Sequence, residues 1–268
     1  MKRVAVLQSN YIPWKGYFDI IAAVDEFILY DEAQFTKNDW RNRNLVKTVQ
    51  GKTWLTIPVS VRSLHQKINE VTVADRHWGI RHWRTISNNY RAAPYFSHHE
   101  DYFRKLFRET KELYLSQINH RFLCATLDVL NVRTKITWSS DYAPIKGRGT
   151  ERILDICRAA GATHYLSGPA ARAYIKPERF AEAGIELEYI DYAGYPEYPQ
   201  LYPPFDHAVS IIDLILMCGP KAPYYIWDWR RSHEPLNVTT QMSAPSDRRV
   251  SDTDKPYVQG QTASGPVL

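Results

Sequence analysis

The chain has 268 residues, 44% hydrophobic and 24% charged, with a formal charge of +5. That is enough apolar material for a full core, and it excludes a disordered, collagen-like or membrane-embedded chain. Cys124, Cys157 and Cys218 lie far apart with no CxxC pair, so neither a zinc site nor a disulfide framework is expected.

Val4 to Leu7 is a short apolar run that reads as a buried strand. It ends at Gln8-Ser9-Asn10, too soon for a secretory signal, and no window reaches the roughly 18 apolar residues of a membrane span. The expected location is cytoplasmic. A turn-rich stretch, Gln8 to Gly16, leads to a helix expected over Tyr17 to Ala23 and a second buried strand over Glu26 to Tyr30. Strand, loop, helix and strand within about 30 residues make a βαβ unit. Trp54 to Val61 and Val71 to Val73 read as strands of a hairpin with a long connection. Trp78, His82, Ile86 and Tyr90 recur every fourth residue on one face of a helix. Two further helices are expected, at about 99–115 and 117–130. Thr150 is placed to cap a helix over Glu151 to Ala160, closed by Gly161. A strand, Thr163 to Leu166, then a Ser167-Gly168-Pro169 turn, a short helix from Glu178 to Ala183 stopped by Gly184, and a strand from Ile185 to Ile190 follow. Ser210 can cap a final apolar helix, Ile211 to Met217. The pattern predicts an α/β fold: a mixed, mainly parallel sheet flanked by helices, with a Rossmann-like or nucleotidyltransferase-like core. One catalytic domain is expected over 1–232, with a disordered polar tail over 233–268.

Charge and aromatic content point to ligands. From His233 onward three cations face four carboxylates, so the body is more positive than the whole chain. Arg76 to Arg91 holds four Arg and two His with no carboxylate, a field that favours anionic ligands. The 18 Tyr and 8 Trp serve cores, but they also serve pockets for sugars and bases.

Four segments carry candidate chemistry. In the first loop Gln8, Ser9, Asn10, Tyr11, Trp14 and Lys15 offer polar groups at the carboxyl end of a strand, with Lys15 suited to a phosphate; an incidentally polar structural turn is the alternative. Asp31 and Glu32 follow the second strand, near Gln34, and either bind a metal, take a proton or cap a turn. The run Trp40, Arg41, Asn42, Arg43, Asn44 offers planar forks and amides for a ligand. His82 lies between Arg81 and Arg84, which would lower its pKa and keep the imidazole neutral, as a general base requires. His98-His99 lacks a third ligand at metal spacing, so no metal is expected there. Ser167, Gly168, Arg172 and Tyr174 sit after a strand, where the turn amides can hold an anion; no GxSxG elbow is present. Asp213, inside an apolar helix, needs a partner, and Tyr198-Pro199-Gln200 is a further polar stretch.

These segments also carry a resemblance. QSNYIPWKGYFDII, DEFILYDEAQFTKNDWRNRN, WLTIPV, NNYRAAPYF, TERILDICRAAGATHYLSGPAARAYI, YPEYPQ and SIIDLI resemble the WbqC-like family, from about Val4 to Gly219. The resemblance implies a bacterial protein associated with O-antigen, other surface-polysaccharide or small-metabolite gene sets, without defining a reaction. A fainter likeness, of fold only, is to pantothenate synthetase and related adenylyltransferases. Their His-x-Gly-His is here Trp14-x-Gly16-Tyr17, so both histidines are missing.

The reading that follows is a transferase moving an acyl or aminoacyl group to the amine of a nucleotide-linked amino sugar or a related metabolite. His82 and Asp31 are its candidate catalytic residues. The donor would be a thioester or an aminoacyl-tRNA, and the substrate a small anion; DNA is not an expected partner. The alternatives are a ligase or nucleotidyltransferase using ATP and magnesium, and a non-catalytic RNA- or nucleotide-binding module.

Overall fold

The computed structural model describes residues 1–231, so the tail expected over 233–268 lies outside the described residues. In chain order the elements are β1 (Arg3–Leu7), α1 (Lys15–Ala22), β2 (Glu26–Leu29), β3 (Arg43–Thr48), β4 (Gly51–Thr56), β5 (Val59–Ser60), β6 (Thr72–Val73), α2 (Trp78–Tyr90), α3 (Phe96–Glu109), α4 (Leu115–Val129), β7 (Lys135–Trp138), α5 (Thr150–Ala159), β8 (His164–Ser167), α6 (Pro177–Glu182), β9 (Glu186–Tyr189), α7 (Ile211–Cys218) and α8 (Asp228–Arg231).

Five strands form one parallel sheet in the order β7-β2-β1-β8-β9. Strand period decides how it is clothed. Ala5, Leu7, Phe27 and Leu29 face a large core shared with α1, α2, α3, α4 and α7. Val4, Val6, Ile28 and Tyr165 face a smaller core with α5 and α6. Helices on both faces explain why β1 and β2 read as unbroken apolar runs. This is the mixed α/β architecture expected, a parallel sheet flanked by helices.

The strand order reverses between β1 and β8, the position where open parallel sheets place ligands. There β1 and β8 share only two paired positions, Arg3 with His164 and Val4 with Tyr165. Their carboxyl halves therefore separate, and the loops after Leu7 and Ser167 flank the gap.

Three local expectations differ. The stretch Trp54 to Val61 is broken at Pro58: β4 pairs with β3, and β5 pairs with β6. Proline has no N–H for the ladder. Gly149, not Thr150, precedes α5, with φ 53° and ψ −129°, a conformation suited to glycine. The Thr150 hydroxyl instead donates to the Tyr174 carbonyl (3.2 Å) and accepts from the Lys176 N–H. The first helix begins at Lys15 rather than Tyr17. Ser210 does cap α7, its hydroxyl accepting from Ile212 N–H.

Candidate functional site

The loop between β1 and α1 is held from all sides. Ser9 N–H donates to Asp31 Oδ1 (2.7 Å), Tyr11 N–H to the Trp40 carbonyl (3.0 Å), and the Tyr17 hydroxyl to the Gln8 carbonyl (2.8 Å). Asn44 donates to the Tyr11 carbonyl, and Ile211 N–H to that of Pro13. These contacts fix Ile12 at φ 36°, which a β-branched residue rarely adopts. Gly16 is required here because a Cβ would lie 2.3 Å from the Trp14 ring.

Beneath the loop is a buried polar knot. Arg41, 1% exposed, donates to the Asn10 side-chain oxygen and lies 3.7 Å from the Asp39 carboxylate. Asn119 on α4 donates to Ser9 Oγ and to the Arg41 carbonyl, each at 2.9 Å. Burial raises the pKa of Asp31, opposed by the Ser9 hydrogen bonds and by Arg41. Asp31 Oδ2, Arg41 Nε and Asn119 Oδ1 are enclosed without a hydrogen-bond partner. Asn119 was not among the sequence candidates; nothing distinguishes it there from any polar residue of an amphipathic helix.

His82 supports the same loop. Its Nδ1 is 2.8 Å from the Tyr11 hydroxyl and its Nε2 is 3.1 Å from the Thr56 carbonyl. That pairing makes Nε2 the donor and Nδ1 the acceptor. Burial, with a smaller contribution from Arg81, lowers its pKa to about 4, so the ring is neutral. Both nitrogens are engaged inside the fold.

At the carboxyl ends of β1, β8 and β9 lies a different set. The Gln8 side-chain amide makes no hydrogen bond among the described residues, and the enclosed Tyr189 hydroxyl has none either. Arg172 stacks over the Tyr189 ring at 4.1 Å and has no carboxylate partner among the described residues. Ser167 and Gly168 are buried beside them, with Ser167 Oγ 3.3 Å from the Tyr165 hydroxyl. Glu32 pairs with Arg152 (3.1 Å) and accepts from Ser139 (3.0 Å), and Arg152 lies 5.5 Å from the Tyr30 ring. Asp31 and Glu32 are thus committed to different partners. Tyr189 is set beside Ser167 by the pairing of β9 with β8, and Arg152 is supplied by α5.

The remaining candidates lie apart. Gln34 donates to the Leu64 carbonyl (2.6 Å), and Asn42 to that of Ile57 (2.9 Å). Arg43 stacks over Trp54 at 4.0 Å, with Trp40 5.4 Å from the same ring. Tyr174 is exposed. Trp14 packs against Tyr192 and Tyr195, and Lys15 turns into the interior. Asp213 finds the partners it needs in the Tyr90 hydroxyl (2.7 Å) and the Gln200 amide (2.9 Å). Among the described residues, one group could ligate a metal: His164, Glu186 and Glu188. It lies toward the amino ends of β8 and β9, and Arg3 already pairs with Glu188 at 2.9 Å. No helix among the described residues is long and apolar enough to cross a membrane.

The fold defines a doubly wound α/β protein whose switch point lies between β1 and β8. The chain belongs to the WbqC-like protein family, whose pattern matches residues 8–225. It is 46% identical over 227 residues to the uncharacterized protein Rv1507c of Mycobacterium tuberculosis (strain ATCC 25618 / H37Rv), covering 84% of this chain and 98% of that one. No solved structure matches.

Proposed function

We propose that this protein is a biosynthetic transferase that places an acyl or aminoacyl group on the amine of a nucleotide-linked amino sugar or a related anionic metabolite. Family membership points to a biosynthetic role without attaching a substrate or reaction. One observation carries the reading: Gln8 after β1, and Arg172 with the Tyr189 hydroxyl on the other side of β8, have no hydrogen-bond or ion-pair partner among the described residues. An amide, a hydroxyl and a guanidinium together suit a sugar bearing phosphate.

In this reading Gln8, Asn10 and Arg172 position the substrate, and the Ser167-Gly168 turn holds an oxyanion. Arg41 and Asp31 fix the loop that carries Gln8. His82 acts through Tyr11 as a positioning residue. The substrate nitrogen attacks the acyl carbon, a C–N bond forms, and the bond to the thiol or tRNA hydroxyl breaks. The nitrogen loses a proton to solvent, and the departing thiolate or ribose oxygen takes one from solvent.

The test is to incubate the protein with bacterial metabolite extract plus acyl thioesters or aminoacyl-tRNA, and to follow nucleotide sugars by mass spectrometry. Consumption of an amino-sugar nucleotide with appearance of its N-acylated product is expected. Pyrophosphate release that depends on ATP would point to a ligase instead. Steeply salt-dependent RNA binding without turnover would point to a binding module.

A further inference from the structure

A second chemistry-bearing cluster is buried at the first turn of α1. Lys15 is 2% exposed. Its Nζ donates to the Pro196 carbonyl (3.1 Å) and lies 4.7 Å from the centre of the Tyr195 ring and 5.5 Å from that of Tyr198. Among the described residues no carboxylate is within ion-pair distance of it. Asp19, one turn on, is taken by the Tyr195 hydroxyl (2.5 Å) and the Arg230 guanidinium (2.8 Å). Burial lowers the Lys15 pKa to about 8, with Cys218 on α7 and Asp19 opposing. His207 lies nearby, its ring 6.3 Å from Tyr195 and 4.5 Å from Phe205, and its enclosed Nδ1 has no partner. Burial, together with the charge of Lys15, lowers His207 to about 4, so its ring is neutral.

A lysine retained for structure is normally paired with an acid when buried. Here Asp19 is spent on other groups, which leaves an amine over the Tyr195 ring, with the His207 ring 6.3 Å from that same ring and its Nδ1 unpartnered. We infer that Lys15 is a reactive amine that captures a small aldehyde or ketone as a Schiff base, with His207 as its proton relay. Nζ attacks the carbonyl carbon and forms the C–N bond. His207 Nδ1 takes a proton from that nitrogen and delivers it to the oxygen. A second proton, relayed from solvent, lets the C–O bond break and water leave, and the iminium cation stays on Lys15. The Tyr195 and Tyr198 rings stabilise that cation. Residues 190–210, which form no helix or strand, supply Tyr195, Pro196, Tyr198 and His207 as the roof, so entry requires that roof to open. This activity does not depend on the transferase reading.

The test treats the full chain with glyoxylate and cyanoborohydride from pH 6 to 10 and maps the reduced adducts by peptide mass spectrometry. At pH 7 the neutral fraction of Lys15 is on the order of a few hundred times that of an ordinary lysine. Allowing for access, Lys15 is expected to be trapped at least about tenfold faster than exposed Lys37, with a midpoint near pH 8. His207→Gln is expected to slow trapping several-fold without moving that midpoint upward, and Lys15→Met to remove the adduct. Trapping of Lys15 no faster than Lys37, or none at all, overturns the inference and leaves the crevice reading untouched.

Discussion

Replacing Tyr90 by Phe removes one oxygen from the interior and keeps the ring. That hydroxyl donates to Asp213 Oδ2 (2.7 Å) and accepts from the Lys47 backbone N–H (2.9 Å), tying α2 to α7 and β3. Gln200, from the roof segment, donates to the other oxygen of Asp213 (2.9 Å). The substitution deletes a charge-assisted hydrogen bond, worth about 1.5–3 kcal/mol, and strands a buried N–H at about 1–3 kcal/mol. With partial relaxation the net loss should be about 3 kcal/mol, a large share of a total stability of roughly 5–15 kcal/mol. In urea, with a slope near 3 kcal/mol per molar, the midpoint should fall by about 1 M. The pH dependence has a definite sign. Burial already raises Asp213 above the ordinary carboxylate range, against Tyr90, Tyr198 and Gln200, and losing the Tyr90 donor raises it further. Stability linked to a raised pKa is present below the unfolded value and lost as pH rises through the folded one. The deficit of Tyr90→Phe should therefore be larger above the raised pKa of Asp213 than below the ordinary carboxylate value. An unchanged midpoint would refute the reasoning.

Gly79→Ala places a Cβ 2.0 Å from the Phe107 carbonyl oxygen, backbone against helix, so α2 and α3 must separate. A loss of about 2 kcal/mol or more in thermal denaturation is expected. His82→Phe leaves the Tyr11 hydroxyl and Thr56 carbonyl unpaired and should cost about 2–3 kcal/mol. Full stability with lost turnover would restore His82 as a base. Burial alone would raise Glu26, but bonds from Lys2, Tyr142 and Thr137 prevail and hold it at about 2. A depressed carboxylate stabilises above its unfolded pKa and loses that contribution as pH falls through the folded one. Glu26→Gln should accordingly flatten the acid limb of the stability profile between about pH 4.5 and 2.

The sheet was legible where burial on both faces left continuous apolar runs, as in β1 and β2. Glycine stops were legible too: Gly161 and Gly184 both have φ 68° and follow α5 and α6. β7 escaped notice because Lys135–Trp138 is a short edge strand of mixed character, with no residue fully buried. The β3 strand was hidden inside the Trp40–Asn44 run, whose Arg and Asn residues look like ligand groups. Some of them are buried partners instead, because a protruding hairpin presses one face onto the loop at Tyr11. Among the candidate site residues, Gln8, Ser167 and Gly168 could be singled out from their places after strands. Arg152, Tyr189 and Asn119 could not, since their roles come from strand order and helix packing rather than from neighbours in the chain. For Lys15 the residue was singled out, but its surroundings come from residues about 180 positions away (Tyr195 and Pro196).

The claim that the gap between β1 and β8 binds a nucleotide-linked amino sugar is tested most directly by calorimetric titration of the full chain. The titrant is a UDP-linked amino sugar, run beside the double variant Gln8→Ala/Arg172→Ala. Saturable binding is expected that weakens at least about tenfold in the variant, with the melting temperature changed little, since neither side chain has a hydrogen-bond or ion-pair partner among the described residues and Arg172 loses only its stack on Tyr189. Equal affinity of the two proteins, or no binding by either, would contradict it.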